Sequence, residues 1–178
     1  THRDSFAHFI QMRTQSHTAY VYENDFLFSL DTIRQEYPSY GTTDFREPAY
    51  QIEQGNGSRI TGFAYKSHEI YSGKKKLNGL PAVYTEDDQE AVTLDVILED
   101  PLIQVQLILS YTIFEDYDVV CRNAKFVNHG CRTVKLNRAM SLSIDLYDDD
   151  FEMIQLDGAW SRERHIVRRK LVGGIQSV

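Results

Sequence analysis

One stretch of the sequence decides the fold class, Ile103-Gln104-Val105-Gln106-Leu107-Ile108-Leu109-Ser110-Tyr111-Thr112-Ile113. Its odd positions are all apolar or aromatic, and its even positions are polar except at Ile108. A period of two is what a β-strand with one face on a core produces. The same alternation recurs at residues 92–98 and 140–146, and residues 117–127 are rich in aromatic and β-branched side chains. The pattern predicts several antiparallel strands.

Turn signals separate these segments at short intervals. Gly55-Asn56-Gly57-Ser58 lies between residues 49–53 and 59–66 and predicts a hairpin, and Asn128-His129-Gly130 predicts another in the same manner. We find no convincing long amphipathic helix. Many short strands at near-regular spacing predict an all-β fold, an antiparallel sandwich or barrel, and 178 residues suit a single domain.

Composition excludes several function classes. The net charge is -7, whereas binders of nucleic acid or anionic membranes carry basic surfaces. The most apolar segment, residues 101–114, is too short to span a membrane. Six scattered histidines and the two cysteines, Cys121 and Cys131, show no metal-ligand spacing and no disulfide framework. We therefore expect no metal, no nucleic acid and no membrane, and a cytoplasmic location, because no signal-peptide pattern opens the chain.

The candidate site is Gly158-Ala159-Trp160-Ser161-Arg162-Glu163-Arg164-His165, which contains the only tryptophan. If this stretch is a strand, Trp160, Arg162 and Arg164 share one face. An indole ring can stack on the C–H face of a sugar while guanidinium groups reach its hydroxyls. The competing interpretation is a core tryptophan beside surface arginines, and spacing alone does not decide between them.

Two other polar stretches remain ambiguous. Asp44 and Arg46 share a face if that segment is extended, so they either pair with each other or project into a pocket. The acidic residues 145–152 lack the ligand offsets and glycine of a calcium loop, and we interpret them as a solvated loop. Neither stretch is assigned catalysis. The chain opens at Thr1 without methionine, and we expect it to be a piece of a longer protein.

A series of motifs in order resembles bacterial α-galactosidases of glycoside hydrolase family 36. The resemblance covers about residues 28–178, and residues 1–27 resemble the family only loosely. Its motifs are Ser29-Leu30-Asp31-Thr32, Gln35-Glu36-Tyr37-Pro38, Gly41-Thr42-Thr43-Asp44-Phe45-Arg46, Pro48-Ala49-Tyr50-Gln51, Asn56-Gly57-Ser58, Gly79-Leu80-Pro81-Ala82, Glu115-Asp116-Tyr117-Asp118-Val119 and Gly158-Ala159-Trp160 through Arg169.

The resemblance implies a fold and a role. Residues 1–178 correspond to an amino-terminal antiparallel β-supersandwich domain, with residues 1–27 the least certain part. In the family this domain precedes a catalytic (β/α)8 barrel, which carries both catalytic aspartates, and a small carboxy-terminal β-domain. The barrel and the carboxy-terminal domain are absent from this chain, so we expect no catalytic residue in it.

The resemblance also implies an activity for the whole protein. It is a retaining α-galactosidase that removes terminal α-linked galactose from raffinose-type oligosaccharides and melibiose without a cofactor. Family members with these motifs form tetramers in which this domain helps to wall the substrate pocket. The position matching Trp160 faces the substrate, so the resemblance implies substrate contact by Trp160 and, next to it, by Arg162. We expect a homo-oligomer, a tetramer.

Two alternatives stay open at this point. An autonomous carbohydrate-binding β-sandwich without an enzyme partner would bind galactosides alone. A purely structural or adhesion sandwich would tolerate loss of Trp160 and Arg162, since one fold serves many functions.

Overall fold

The computed structural model describes residues 34–40, 47–79, 82–145 and 150–172. These residues form strands and a single 3₁₀ turn, Asp88–Glu90, with no α-helix among them, which confirms the all-β prediction. The chain divides into two compact units, Thr1–Ile144 and Asp145–Val178. The strands are β1 (Tyr50–Glu53), β2 (Ala64–Ser72), β3 (Ala91–Asp100), β4 (Val105–Phe114), β5 (Val119–Asn128), β6 (Lys135–Ala139), β7 (Glu152–Ala159) and β8 (Arg162–Lys170).

The first unit is built on a four-stranded antiparallel sheet in the order β2-β3-β4-β5. Its centre is β4, which contains most of the alternating stretch 103–113 and pairs with β3 and β5 along its whole length. The turn between β3 and β4 is held by Asp100, which is almost fully buried. Its carboxylate accepts hydrogen bonds from the backbone N–H groups of Gly62 at 2.8 Å and Leu102 at 3.0 Å.

A two-stranded ribbon, β1 paired with β6, shares a hydrophobic core with this sheet. Tyr50 of β1 is the centre of an aromatic cluster. Its ring stacks on Tyr37 with centroids 5.4 Å apart, and it lies 5.6 Å from the rings of both Phe63 and Phe126. Offset and edge-on arrangements at these distances are the favourable geometries for aromatic pairs. The buried members of the core are Tyr50, Ile52, Val105, Leu107 and Leu109.

The two predicted hairpins are wrong. The chain does turn at residues 54–57, where the Gly57 N–H donates to the Gln54 carbonyl at 2.8 Å. However, β1 pairs with β6 and β2 pairs with β3, so the strands flanking this turn are not partners. The same holds at Asn128-His129-Gly130, because β6 leaves β5 to join β1. The physical reason is burial: Tyr50 and Ile52 reach the core only when their ribbon faces the sheet.

The strand predicted at residues 140–146 is also wrong over its described part, because residues 140–145 adopt no strand. The β1–β6 ribbon ends where the Met140 N–H donates to the Ala49 carbonyl at 2.7 Å. Residues 1–27, together with Asp44 and Arg46, lie outside the described residues.

The second unit contains one antiparallel hairpin, β7 paired with β8. Leu156 lies opposite Ile166, and Ile154 opposite Arg168. Two residues, Trp160 and Ser161, join the strands.

Candidate functional site

Trp160 lies at the tip of the β7–β8 hairpin. Trp160 and Ser161 form the turn, so the prediction that Trp160 lies on a strand face with Arg162 and Arg164 is wrong. The alternative of a core tryptophan is wrong as well, because Trp160 is 93% exposed. The hairpin thus presents a large flat apolar ring to its surroundings, with Arg162 two residues away at the start of β8. An indole left in water gains free energy from burial against a ligand or another chain.

The backbone around the tip explains why the turn falls there. Ser161 has a φ of 64°, and its N–H donates to a carboxylate oxygen of Glu163 at 3.1 Å. Arg164 has a φ of 65° and lies in a β-bulge, because two residues of β8 face Gly158. A Cβ on Gly158 would lie 2.8 Å from the Arg162 carbonyl oxygen and 2.9 Å from the Cα of Glu163. Glycine at 158 therefore permits the close approach of the bulged strand.

The hairpin is strongly basic on β8. Arg168 pairs with Glu152 at 3.5 Å, and Lys170 pairs with Asp150 at 3.1 Å. Arg162, by contrast, is exposed and makes no ion pair within the described residues. A guanidinium group carries five N–H donors in a fixed geometry and no acceptor. Such donors can bond to the oxygens of a hydroxylated ligand.

One face of the hairpin carries exposed apolar side chains next to the Arg168–Glu152 ion pair. Ile154, Leu156 and Ile166 lie on this face, and each is more than half exposed. The opposite face, which includes Met153, Gln155 and Val167, is partly covered. We call the first set, with Trp160, the hairpin apolar surface. Exposed apolar surfaces of this kind are typical of contacts with another protein or a ligand.

The other candidate residues do not assemble into a site. The described residues contain no group of three or more His, Cys, Asp or Glu side chains placed to hold a metal ion. Of the acidic stretch, Asp145, Asp150 and Glu152 are described, and residues 146–149 lie outside the described ranges. Cys121 and Cys131 are free thiols. In the part of the chain that the structure covers, no helix is long and apolar enough to cross a membrane.

One polar feature of the structure is not predicted from the sequence. It is a cavity beside the four-stranded sheet with Asp95 in its wall. The signal in the sequence is Asp95, the one acid among the apolar and hydroxylated residues 91–98. In the structure this residue is buried.

Comparison with known proteins identifies the family. The profile of the glycosyl hydrolase family 36 N-terminal domain matches residues 4–178. This chain belongs to that family of domains. Over 154 residues, 86% of the chain, it is 53% identical to the α-galactosidase AgaA of Geobacillus stearothermophilus. Over 152 residues, 85% of the chain, it is 41% identical to the α-galactosidase Mel36A of Lactobacillus acidophilus. Each match covers 21% of the relative, so the chain spans about a fifth of the length of these relatives.

Solved structures agree with this glycosyl hydrolase family 36 assignment. The crystal structure of AgaA matches with a TM-score of 0.81 and 54% identity, over 84% of this chain and 21% of AgaA. A variant of AgaA in complex with raffinose matches with the same TM-score, identity and coverage. The enzyme from Lactobacillus brevis matches with a TM-score of 0.81 and 42% identity, over 85% of this chain and 20% of the enzyme. The fold prediction and the family resemblance are both confirmed.

Proposed function

We propose that this chain is the non-catalytic amino-terminal domain of a retaining α-galactosidase. The whole protein would remove terminal α-linked galactose from raffinose-type oligosaccharides and melibiose. The observation that carries this proposal is the family membership together with coverage of about a fifth of relatives that are named α-galactosidases. Complexes of AgaA variants with raffinose and stachyose support an oligosaccharide substrate.

Within that enzyme, Trp160 and Arg162 would contribute to the wall of the substrate pocket. The exposure of Trp160 at a hairpin tip supports this role, because a projecting ring can reach beyond its own domain. The guanidinium of Arg162, which makes no ion pair within the described residues, supports hydrogen bonding to sugar oxygens. No residue of this chain is assigned a catalytic step, and no cofactor is invoked.

The same hairpin supports assembly into a homo-oligomer, which we propose is a tetramer. The hairpin apolar surface would be buried against another part of the assembly, since exposed Leu156 and Ile166 face each other across the strands. Light scattering of the whole protein tests this proposal. Four copies are expected, and Leu156→Glu should weaken the assembly; a monomer at micromolar concentration would contradict it.

A cytoplasmic location belongs to the same proposal. Cys131 is exposed and free, and Cys121 is half-buried and free, as is usual where thiols stay reduced. Fractionation of cells producing the whole protein should recover its α-galactosidase activity with the cytoplasm. Recovery from the medium or an extracytoplasmic compartment would contradict this location.

Activity assays test the central function directly. The whole protein should hydrolyse raffinose and melibiose and release galactose with its anomeric configuration retained. The 178-residue chain alone should turn over no aryl α-galactoside. Hydrolysis of an aryl α-galactoside by the chain alone would contradict the non-catalytic assignment. If the whole protein hydrolysed neither raffinose nor melibiose, the proposed substrates would be wrong.

Arg162 has a matched control in Arg169, another exposed arginine of β8. We expect Arg162→Ala to raise KM for raffinose about tenfold, because one charge-assisted hydrogen bond to substrate contributes roughly 1.5–3 kcal/mol. Arg169→Ala should leave KM unchanged. Equal effects of the two substitutions would indicate a general charge effect of β8 and would remove Arg162 from the pocket.

A further inference from the structure

A cavity of about 410 Å³ lies beside the four-stranded sheet in the first unit. Its wall is formed by β3, β4 and β5 with the end of β2, and by residues 74–77 and 82–83 of the connection that follows β2. Ligand cavities in proteins have volumes of about 300–1,000 Å³. This one lies in the first unit, and Trp160 and Arg162 do not line it.

The part of the cavity wall formed by β3, β4 and β5 is polar. Asp95 of β3 lies opposite Ser110 of β4, and Ser110 lies opposite Asn123 of β5. In the next row Thr93 and Thr112 bond to each other at 2.8 Å, and Thr93 also donates to the Gly73 carbonyl at 2.6 Å. The threonines are thus occupied, whereas Ser110 and Asn123 have no side-chain hydrogen bond within the described residues.

Asp95 is the most unusual group of the wall. Its side chain is only 9% exposed. The Oδ2 atom accepts hydrogen bonds from the Tyr71 hydroxyl at 3.3 Å and from Lys75 Nζ at 3.2 Å. The Oδ1 atom is buried and has no hydrogen-bond partner among the described residues. A buried carboxylate oxygen without a hydrogen-bond partner is energetically unfavourable, so this atom favours a ligand that donates to it.

The charged groups around Asp95 determine which kind of ligand group can donate a hydrogen bond to its Oδ1 atom. Lys75 already neutralises the carboxylate, and its ammonium lies 4.1 Å from the centre of the Tyr71 ring. A second cation would therefore be repelled. A hydroxyl group is neutral, donates one hydrogen and accepts others. One hydroxyl can donate to Asp95 Oδ1 and its neighbour can accept from Lys75, whose side chain is 64% exposed and can move to admit a ligand.

We propose that this cavity is a non-catalytic binding site for a neutral hexose. Vicinal ring hydroxyls contact Asp95 and Lys75, and the remaining hydroxyls contact Ser110 and Asn123. The site stands apart from the proposed function of the hairpin, because it uses no residue of β7 or β8. A hexose bound here would attach the protein to carbohydrate without being hydrolysed.

Saturation-transfer NMR on the 178-residue chain tests the proposal with D-galactose, D-glucose and inorganic phosphate as separate probes. We expect saturable binding of at least one hexose and none of phosphate. Asp95→Asn should weaken hexose binding about tenfold or more, as expected for loss of one charge-assisted hydrogen bond. Arg169→Ala, on β8 and outside the cavity wall, should leave it unchanged.

The matched control is Glu99→Gln, which removes another lysine-paired carboxylate of β3, bonded to Lys66 at 2.9 Å and outside the cavity wall. It should bind hexose as the wild type does. If Asp95→Asn does not fold, Ser110→Leu fills the cavity while keeping both charged groups of the Asp95–Lys75 ion pair, and it should abolish binding. Binding of phosphate alone, no saturable hexose signal at roughly 50 mM, or equal weakening by Glu99→Gln would each overturn the proposal.

Discussion

We predict that Arg122 makes the most stabilising contacts between the four-stranded sheet and two other chain segments, at residues 36–37 and 143. Its side chain is only 7% exposed and lies between two rings, with its guanidinium carbon 5.2 Å from the centre of Tyr37 and 5.4 Å from that of Tyr111. It donates to the carbonyls of Ser143 and Glu36, both at 3.1 Å, and pairs with the Glu36 carboxylate at 2.9 Å. One side chain of β5 thus holds residues 36–37 and 143.

The expected loss of stability depends on how well each group that loses its contact with Arg122 can hydrogen-bond to water instead. In Arg122→Met the Glu36 carboxylate, 62% exposed, regains water, so loss of the ion pair costs little. The two hydrogen bonds to backbone carbonyls are charge-assisted, and loss of each costs roughly 1.5 kcal/mol or more. We therefore expect Arg122→Met to lower the free energy of unfolding by about 3 kcal/mol. Arg122→Lys should lose about half as much, since one ammonium cannot reach both carbonyls in the fork geometry of arginine.

Urea denaturation followed by circular dichroism measures these differences. The control is Lys125→Met, the same kind of replacement on the same strand at an exposed side chain, which should change stability by no more than about 0.5 kcal/mol. If Arg122→Met matches Lys125→Met, or if Arg122→Lys is as damaging as Arg122→Met, the reasoning from paired carbonyl contacts is refuted.

Three further predictions follow from buried or crowded groups. Gly158→Ala should destabilise the hairpin by about 1–3 kcal/mol and shift the Trp160 emission, because the new Cβ meets backbone atoms, whereas a Cβ on Gly55 meets nothing within 4 Å; equal stability of the two alanine variants would contradict this. Asp100→Ala should cost about 1–3 kcal/mol in urea denaturation, since it removes the hydrogen bonds that the buried Asp100 carboxylate accepts from the N–H groups of Gly62 and Leu102, and an unchanged midpoint would refute that role. Burial raises the pKa of the Tyr50 and Tyr111 hydroxyls, so the folded state keeps them neutral while the unfolded chain ionises. Their contribution to stability should be fully present below pH 10 and be lost as the pH rises above it, while phenolate absorbance at 295 nm increases on unfolding; a transition midpoint independent of pH from 9 to about 11 would contradict the shift.

The fold class could be predicted because strand periodicity is a local property. The alternation at residues 103–113 predicts β4 almost to its ends, and residues 92–98 and 117–127 predict β3 and β5. Strand partners could not be predicted in the same way. Gly57 makes a turn of hairpin composition, yet β1 pairs with β6, because that pairing is decided by burial of Tyr50 and Ile52 far along the chain.

The candidate site was only partly predictable for a similar reason. The residue types at 158–165 predict a sugar-binding strand face, but their alternation conceals a turn at Trp160 and Ser161. Two-residue hairpin turns usually carry Gly or Asn where φ is positive, and here Ser161 and Arg164 adopt that region. The burial of Asp95 could not be predicted either. Alternation identifies the two faces of β3, but it does not indicate that the face with Thr93 and Asp95 is the more buried one.

The central claim, that Trp160 of this domain contacts the substrate of an α-galactosidase, is tested most directly by kcat/KM for raffinose. The whole protein is compared as wild type, as Trp160→Ala, and as Tyr117→Ala, another exposed aromatic residue at a turn between strands, with the oligomeric state checked for each. We predict a loss of tenfold or more for Trp160→Ala, about 1.4 kcal/mol of transition-state stabilisation, and no loss for Tyr117→Ala. An unchanged kcat/KM for Trp160→Ala in an intact assembly would contradict the claim.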